Sequence, residues 1–336
     1  MTKKTSFQDV LDVLLDSKKS IPQGHLKLYS DLDPKSLQLF MDAWRSVPPN
    51  RKHQLLEKLE DHFEEDTLVS YEEIGRALLD DADPEVRVRA IGLLAESEDP
   101  KLVGKIVDIF LADSDSAPRL AALNLLGEFL LLGEYEKINE KLEHKIEDAL
   151  ISVIRSEDNA DLRRHALEIL AFSSRDEVPA LIESAAERSD PAWVASALRA
   201  MGHSQDERWN GDVLEKLLDE EPLIQAAAIE AAGALSIQES TPLLIQVLDD
   251  EETEDDVVAA AIWSLSQIGG DEARTYLVGL ADQTDDEELS EFLEDAIDNL
   301  DFMEDLNNFN IFSFDEEDLL DDEEEEEEER PKKKRK

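Results

Sequence analysis

The chain contains no cysteine, which removes disulfides, thiolate metal sites and cysteine nucleophiles at once and agrees with a reducing compartment. Glycine and proline are scarce, at 12 each, so neither a fibrous repeat nor a Gly/Pro-rich disordered chain is in play. No apolar run approaches the roughly 18 residues of a membrane-spanning helix, and MTKKTSFQDVLDVLLDSKK lacks the uncharged stretch of a signal peptide. A cytoplasmic protein without a membrane span is therefore expected. Bases are few too: 34 Lys and Arg against 83 Asp and Glu give a net charge of −49. From Asp301 onward there are 16 acids and 6 bases, leaving 67 acids against 28 bases before it, a balance of −39. Such a field repels phosphate backbones, whose binding relies on Lys and Arg displacing counterions. Direct nucleic-acid binding is not expected; a basic protein partner fits the charge, and so does plain solubility.

The usual signatures of chemistry are missing as well. There is no HExxH, no Asp spacing with the turn glycine of an EF-hand, no GxGxxG and no Walker-type loop. Gly202-His203-Ser204-Gln205-Asp206 half-matches a nucleophile elbow, but it lacks the second glycine and follows a helix where a strand is needed. Gly202 is better read as a helix C-cap, and DDEETEDD (249–256) as a solvated turn that caps a helix. The acids are too many to single out a general acid or base. No catalytic, cofactor or metal residue is assigned.

What the chain does have is a repeat. Ala90, Ala122, Ala166, Ala197, Ala228, Ala261 and Ala296 share one local frame, with separations of 32, 44, 31, 31, 33 and 35 residues. Position +1 from each is Ile or Leu, position +4 is apolar, and position −4 (Val86, Pro118, Leu162, Trp193, Ile224, Val257, Phe292) is apolar too. These offsets make one buried stripe on an α-helix, and a helical stripe at this period marks stacked helix pairs. Seven residues before the alanine stand Asp83, Asp115, Asn159, Asp190, Glu221 and Glu254, and Pro84, Pro191 and Pro222 follow directly. An acidic or N-cap-compatible residue followed by proline is helix-start chemistry. The 44-residue interval is assigned to LLLGEYEKINEKLEHK (130–145) as a lengthened connection.

The fold expected is all-α: a solenoid, a superhelical stack of about seven or eight antiparallel helix pairs. Residues 1–70 form an irregular N-terminal cap or first repeat. Within it, 1–20 is a short amphipathic helix and 21–30 a loop; Asp33-Pro34 opens a helix to about Ser46, and a second runs from Asn50 to Glu65 with Leu55, Leu56, Leu59 and Phe63 on one face. Residues 71–300 are the regular array. Residues 301–336 form a disordered tail, in which 13 of the 15 residues from Asp315 to Glu329 are acidic before the closing RPKKKRK.

Units such as DDADPEVRVRAIGLLAESEDPKLVGKIVDIF (80–110), SDPAWVASALRAMG and AAAIWSLSQIGGDEA resemble HEAT repeats, particularly the short PBS-lyase-like kind, and their style reads as bacterial. The resemblance implies a turn Asp and a second-helix Arg that knit neighbouring units, here Asp83/Arg87, Asp115/Arg119 and Asn159/Arg163. The later units have Val194, Gln225, Val258 and Leu293 at the Arg position, so packing alone must hold them. Two enzyme classes share the repeat. Bilin lyases and isomerases have no tetrapyrrole-marking residues here, and the His-Glu pairs of deoxyhypusine hydroxylase are absent, since none of the six His is followed by Glu.

The implied function is a non-enzymatic protein-binding scaffold or adaptor. An acidic chaperone of basic proteins is the first alternative, and a bilin lyase/isomerase-like repeat enzyme the second. Columns −1 and +2 lie opposite the buried stripe, and they supply a candidate binding groove of Arg89, Asn124, His165, Glu168, Arg199, Glu230 and Trp263. Trp263 is either an interface anchor or a ring folded sideways over the neighbouring unit, whereas Trp193 belongs to the core column. In the tail, Phe309, Ile311, Phe312 and Phe314 form either a docking motif or a cap on the last repeat. Pro331–Lys336 has the composition of a nuclear import signal in a eukaryotic source.

Overall fold

The computed structural model describes residues 5–134, 137–156, 158–250 and 252–308, with the side chains of 134 and 304–308 left aside. Among the described residues every regular element is helical, and the chain divides into two compact units at Ser204/Gln205. The N-terminal unit holds α1 (Phe7–Leu15), α2 (Gln23–Leu26) with a 3-10 turn at Lys27–Tyr29, α3 (Pro34–Trp44) and α4 (Pro49–Glu65). It continues with α5 (Glu72–Leu78), α6 (Pro84–Gly92), α7 (Leu102–Ala112), α8 (Ser116–Glu134), α9 (Glu140–Ile154), α10 (Ala160–Leu170), α11 (Val178–Ala186) and α12 (Pro191–His203). The C-terminal unit holds α13 (Asn210–Lys216), α14 (Pro222–Ala234), α15 (Thr241–Leu248), α16 (Asp255–Ile268), α17 (Asp271–Ala281) and α18 (Glu287–Asn308).

Helix starts follow side-chain length. Asp33 accepts from the amides of Lys35 and Ser36, and Asp83, Asn159 and Asp190 likewise accept from the amide two residues on. Glu221 and Glu254 hold the same position before α14 and α16 but make no such bond, because the extra methylene carries the carboxylate past the first turn. Segment 21–30, expected as a loop, is helical instead. Leu26 and Tyr29 are fully buried, and Tyr29 meets Phe7 and Phe40 edge-on at 5.8 and 6.0 Å. Burying that pair needs a helical turn there. The lengthened connection is corrected as well: α8 runs through residue 134 and α9 begins at Glu140, so most of 130–145 is helix.

The seven marker alanines all lie on second helices and all have no exposed surface. Their small side chains let neighbouring second helices approach, while the Leu and Ile at +1 and +4 bury at a gain of about 1.5–3 kcal/mol each. In α18 the stripe turns by one position. Leu293, Ala296 and Leu300 are buried, whereas Phe292 and Ile297 are only half-buried. α18 packs on α16 and α17, and among the described residues no further second helix covers its other flank.

The N-terminal unit is laced by charge from one repeat to the next. Asp81 accepts from Trp44 Nε1 at 2.7 Å and Lys52 at 2.9 Å, while His53 lies 2.8 Å from Asp83. Arg87 donates to Asp113 at 2.7 and 2.6 Å and to Asp115 at 3.3 Å; Arg119 grips Asp158 at 3.1 and 2.6 Å. Each arginine thus reaches the following turn, and not the residue four positions before it. At Arg163 the next-turn partner is aromatic, with the guanidinium 5.3 Å from the Trp193 ring, itself covered by Arg188 at 3.8 Å. In the C-terminal unit neutral bonds take over: Ser264 Oγ donates to the Ile229 carbonyl at 2.8 Å, and Asn299 to Ser266 at 2.9 Å.

Burial alone would push the Asp81 and Asp113 carboxyls up, but hydrogen bonds hold both below the usual range. They come from the Asp83 amide, Lys52 and Trp44 in one case, and from Arg87 and the Asp115 amide in the other. Arg119 lowers Asp158 in the same way. A carboxyl depressed in the fold contributes stability above its unfolded pKa of about 3.9 and loses it as pH falls. The urea midpoint of the N-terminal unit should therefore drop between about pH 5 and 3, and Asp158→Asn should flatten that slope. A slope unchanged in Asp158→Asn would refute the assignment.

Candidate protein-binding face

On a helix, positions −1 and +2 are three residues apart and share the side opposite the buried stripe. On α6, Arg89 hydrogen-bonds Glu60 of α4 and pairs with Glu85 at 3.1 Å. Gly92 makes room for this, since a Cβ there would lie 3.0 Å from Glu60 Oε1. Burial pushes the Glu60 carboxyl up; Arg89 opposes that, and the charges of Asp61 and Glu64 add to the rise.

Asn124, His165, Glu168 and Arg199 form one network across α8, α10 and α12. His165 Nε2 is 2.7 Å from Asn124 Oδ1, and its Nδ1 is 3.4 Å from Glu168 Oε2. Burial alone would raise the Glu168 carboxyl, yet hydrogen bonds from His165 and Ser196 and the Arg199 charge hold it below its ordinary range. His203 completes the cluster: Nδ1 lies 2.9 Å from the Glu168 carbonyl and the ring stacks on Phe172 at 4.4 Å. Ser196 and His203 were not among the expected residues. Ser196 stands in the −1 column and was legible there; His203 was not, because its role depends on a backbone carbonyl.

In the C-terminal unit Glu230 is exposed on α14. Trp263 on α16 is 39% exposed and stacks against Phe292 of α18, with centroids 6.3 Å apart and planes at 26°. The ring leans on the neighbouring repeat and still faces solvent. Trp193 is buried. Gly202 lies inside α12, and Ser204 is the C-cap, with Gln205 taking the left-handed turn at φ 51. Phe309, Ile311, Phe312, Phe314 and the basic terminus lie outside the described residues.

On this side of its second helices the N-terminal unit offers hydrogen-bond donors and acceptors, and the C-terminal unit offers an aromatic platform. Among the described residues no three His, Asp or Glu side chains converge as a metal site, and no helix is long and apolar enough to cross a membrane.

Comparison with known proteins agrees with this architecture. Residues 211–297 match the family model for HEAT repeats. A HEAT repeat-containing taxis protein of Halobacterium salinarum is 28% identical over 153 residues, spanning 44% of this chain and 34% of the relative. The chain thus covers about a third of that protein's length, and the match lends nothing to the bacterial reading. Among solved structures, Kap121p is similar at a TM-score of 0.42 and 16% identity, covering 88% of this chain and 38% of that one. Human deoxyhypusine hydroxylase is similar at 0.30 and 16%, covering 78% and 95%. Likeness at this level concerns helix stacking and bears on no activity. Repeat period, buried stripe and the family match over residues 211–297 agree: the fold is a HEAT-like α-solenoid.

Proposed function

We propose that this chain is a non-catalytic scaffold that binds a partner protein through the second-helix face. The carrying observation is Trp263, whose ring is backed by Phe292 on one side and open to solvent. Tryptophan is enriched among the few residues that dominate interface energies, and the support of Phe292 holds the ring in one orientation before binding. In the N-terminal unit the bonded cluster of Asn124, His165 and Glu168 presents polar groups whose geometry is likewise set in advance. The Halobacterium relative is named a taxis protein, which suggests taxis as a setting for such a surface.

Affinity capture with the intact chain tests this. A discrete partner should bind the parent and weaken by about 2 kcal/mol, roughly thirtyfold, in Trp263→Ala, with helicity unchanged by circular dichroism. A partner retained equally by Trp263→Ala would reject the face. Capture of only basic proteins, released by moderate salt and lost on deleting residues 315–329, would favour the acidic chaperone.

A further inference from the structure

A groove between α15 and α17 plays no part in that face. The second helices α14 and α16 pack so closely that a Cβ on Gly233 would fall 2.8 Å from Ser264 Cα. The first helices α15 and α17 touch sparsely, and their divergence leaves a groove of about 790 Å³. Its apolar lining is Ile245, Leu248, Tyr276 and Leu280, all half-exposed, with Thr275 and Gln283 beside them. On α17 it is lined by Gly279, where a Cβ would meet nothing nearer than Gln283 at 3.9 Å. Glycine is unfavourable inside a helix, and here no neighbouring backbone requires it; what it does is keep the groove open.

The rim is acidic. Asp249, Asp271 and Glu272 border the groove, and the Tyr276 hydroxyl donates to Asp249 at 2.8 Å. Arg274 is the sole base between Lys216 and Arg330, and it is paired with Asp301 of α18 at 2.5 Å. The groove therefore offers an apolar lining inside a field of one sign.

We propose that this groove docks a cationic amphipathic segment of a partner protein, with apolar side chains between α15 and α17 and Lys or Arg on Asp249, Asp271 and Glu272. The eight residues of α15 give a wall of about 12 Å, room for two turns of a bound helix. The complementarity fits the helix-in-groove mode, in which apolar anchors set the register and charges set the orientation. This site is independent of Trp263.

The test uses the full chain and a fluorescent synthetic peptide with Leu at helical spacing and Lys between, beside a scrambled peptide of the same composition. The ordered peptide should bind at least about tenfold tighter than the scrambled one. Gly279→Phe fills the groove and should weaken binding by about tenfold; Asp271→Asn with Glu272→Gln should do about the same. The pair Glu96→Gln and Glu128→Gln makes an equal charge change in the N-terminal unit and should cost less than about twofold. Equal losses in both pairs, or indifference to Gly279→Phe, would reduce the binding to net charge and overturn the proposal. A gain in affinity on deleting residues 309–336 would assign the groove to this chain's own tail and overturn it as well. Trp263→Ala should leave peptide binding unchanged, which separates failure here from failure of the second-helix face.

Discussion

Arg87→Met should cost the N-terminal unit about 3 kcal/mol, the low end of what breaking a buried ion pair costs. The Arg87 side chain is 11% exposed and that of Asp113 is 7% exposed. The guanidinium makes two bonds to Asp113, one to Asp115 and one to the Asp81 carbonyl at 2.9 Å. Methionine keeps the apolar stem but leaves Asp113 with the Asp115 amide at 3.0 Å and without its guanidinium. Asp115 is half-exposed, so water can enter from that side, which is why the low end applies. Arg87→Lys keeps a charge but loses the fork that grips both carboxylate oxygens, and it should cost about half as much. Adding Asp113→Ala to Arg87→Met should recover part of the loss, because no uncompensated carboxylate then remains. Urea unfolding of the full chain measures all three variants. A loss below about 1 kcal/mol in Arg87→Met would mean that the ladder is a surface feature.

The helical stripe was the most legible part of this protein, since periodicity reports burial directly: every marker alanine is buried, and so are Leu94, Leu126, Leu170, Met201, Leu265 and Leu300 four positions on. What periodicity misses are groups buried for polar reasons. Arg51 is 5% exposed because it donates to the carbonyls of Val13 and Leu14 at the end of α1. His62 is buried beside the Tyr71 hydroxyl at 2.9 Å. Neither position differs in sequence from an ordinary surface residue of an acidic helix.

The same limit applies to function. Columns −1 and +2 can be read from the repeat frame, but the contacts among their residues depend on how adjacent repeats are offset. That offset decides that His165 meets Asn124 of the preceding second helix, and that Trp263 finds Phe292 in a position the repeat pattern assigned to the core. The groove between α15 and α17 had no sequence signature, because its walls come from two first helices outside the repeat's buried stripe.

That packing gives the second large effect. Gly233→Val should destabilise the C-terminal unit by about 3 kcal/mol, from overpacking, a lost hydrogen bond and the lower helix propensity of valine. Any Cβ at 233 would lie 2.4 Å from Gln267 Oε1 and 2.8 Å from both Cα and Oγ of Ser264. The Gln267 amide can swing away, but the Ser264 backbone cannot. The helices must separate, and the bond from Ser264 Oγ to the Ile229 carbonyl, 2.8 Å long, is lost with the contact. Even Gly233→Ala should destabilise, although alanine gains about 0.8–1.0 kcal/mol in helix propensity. Gly279→Ala on α17, where nothing obstructs the new methyl, should stabilise by about that propensity alone. Equal signs for the two alanine variants would remove close approach of α14 and α16 as the reason for glycine at 233. Opposite signs would show that this one position sets how closely two second helices meet.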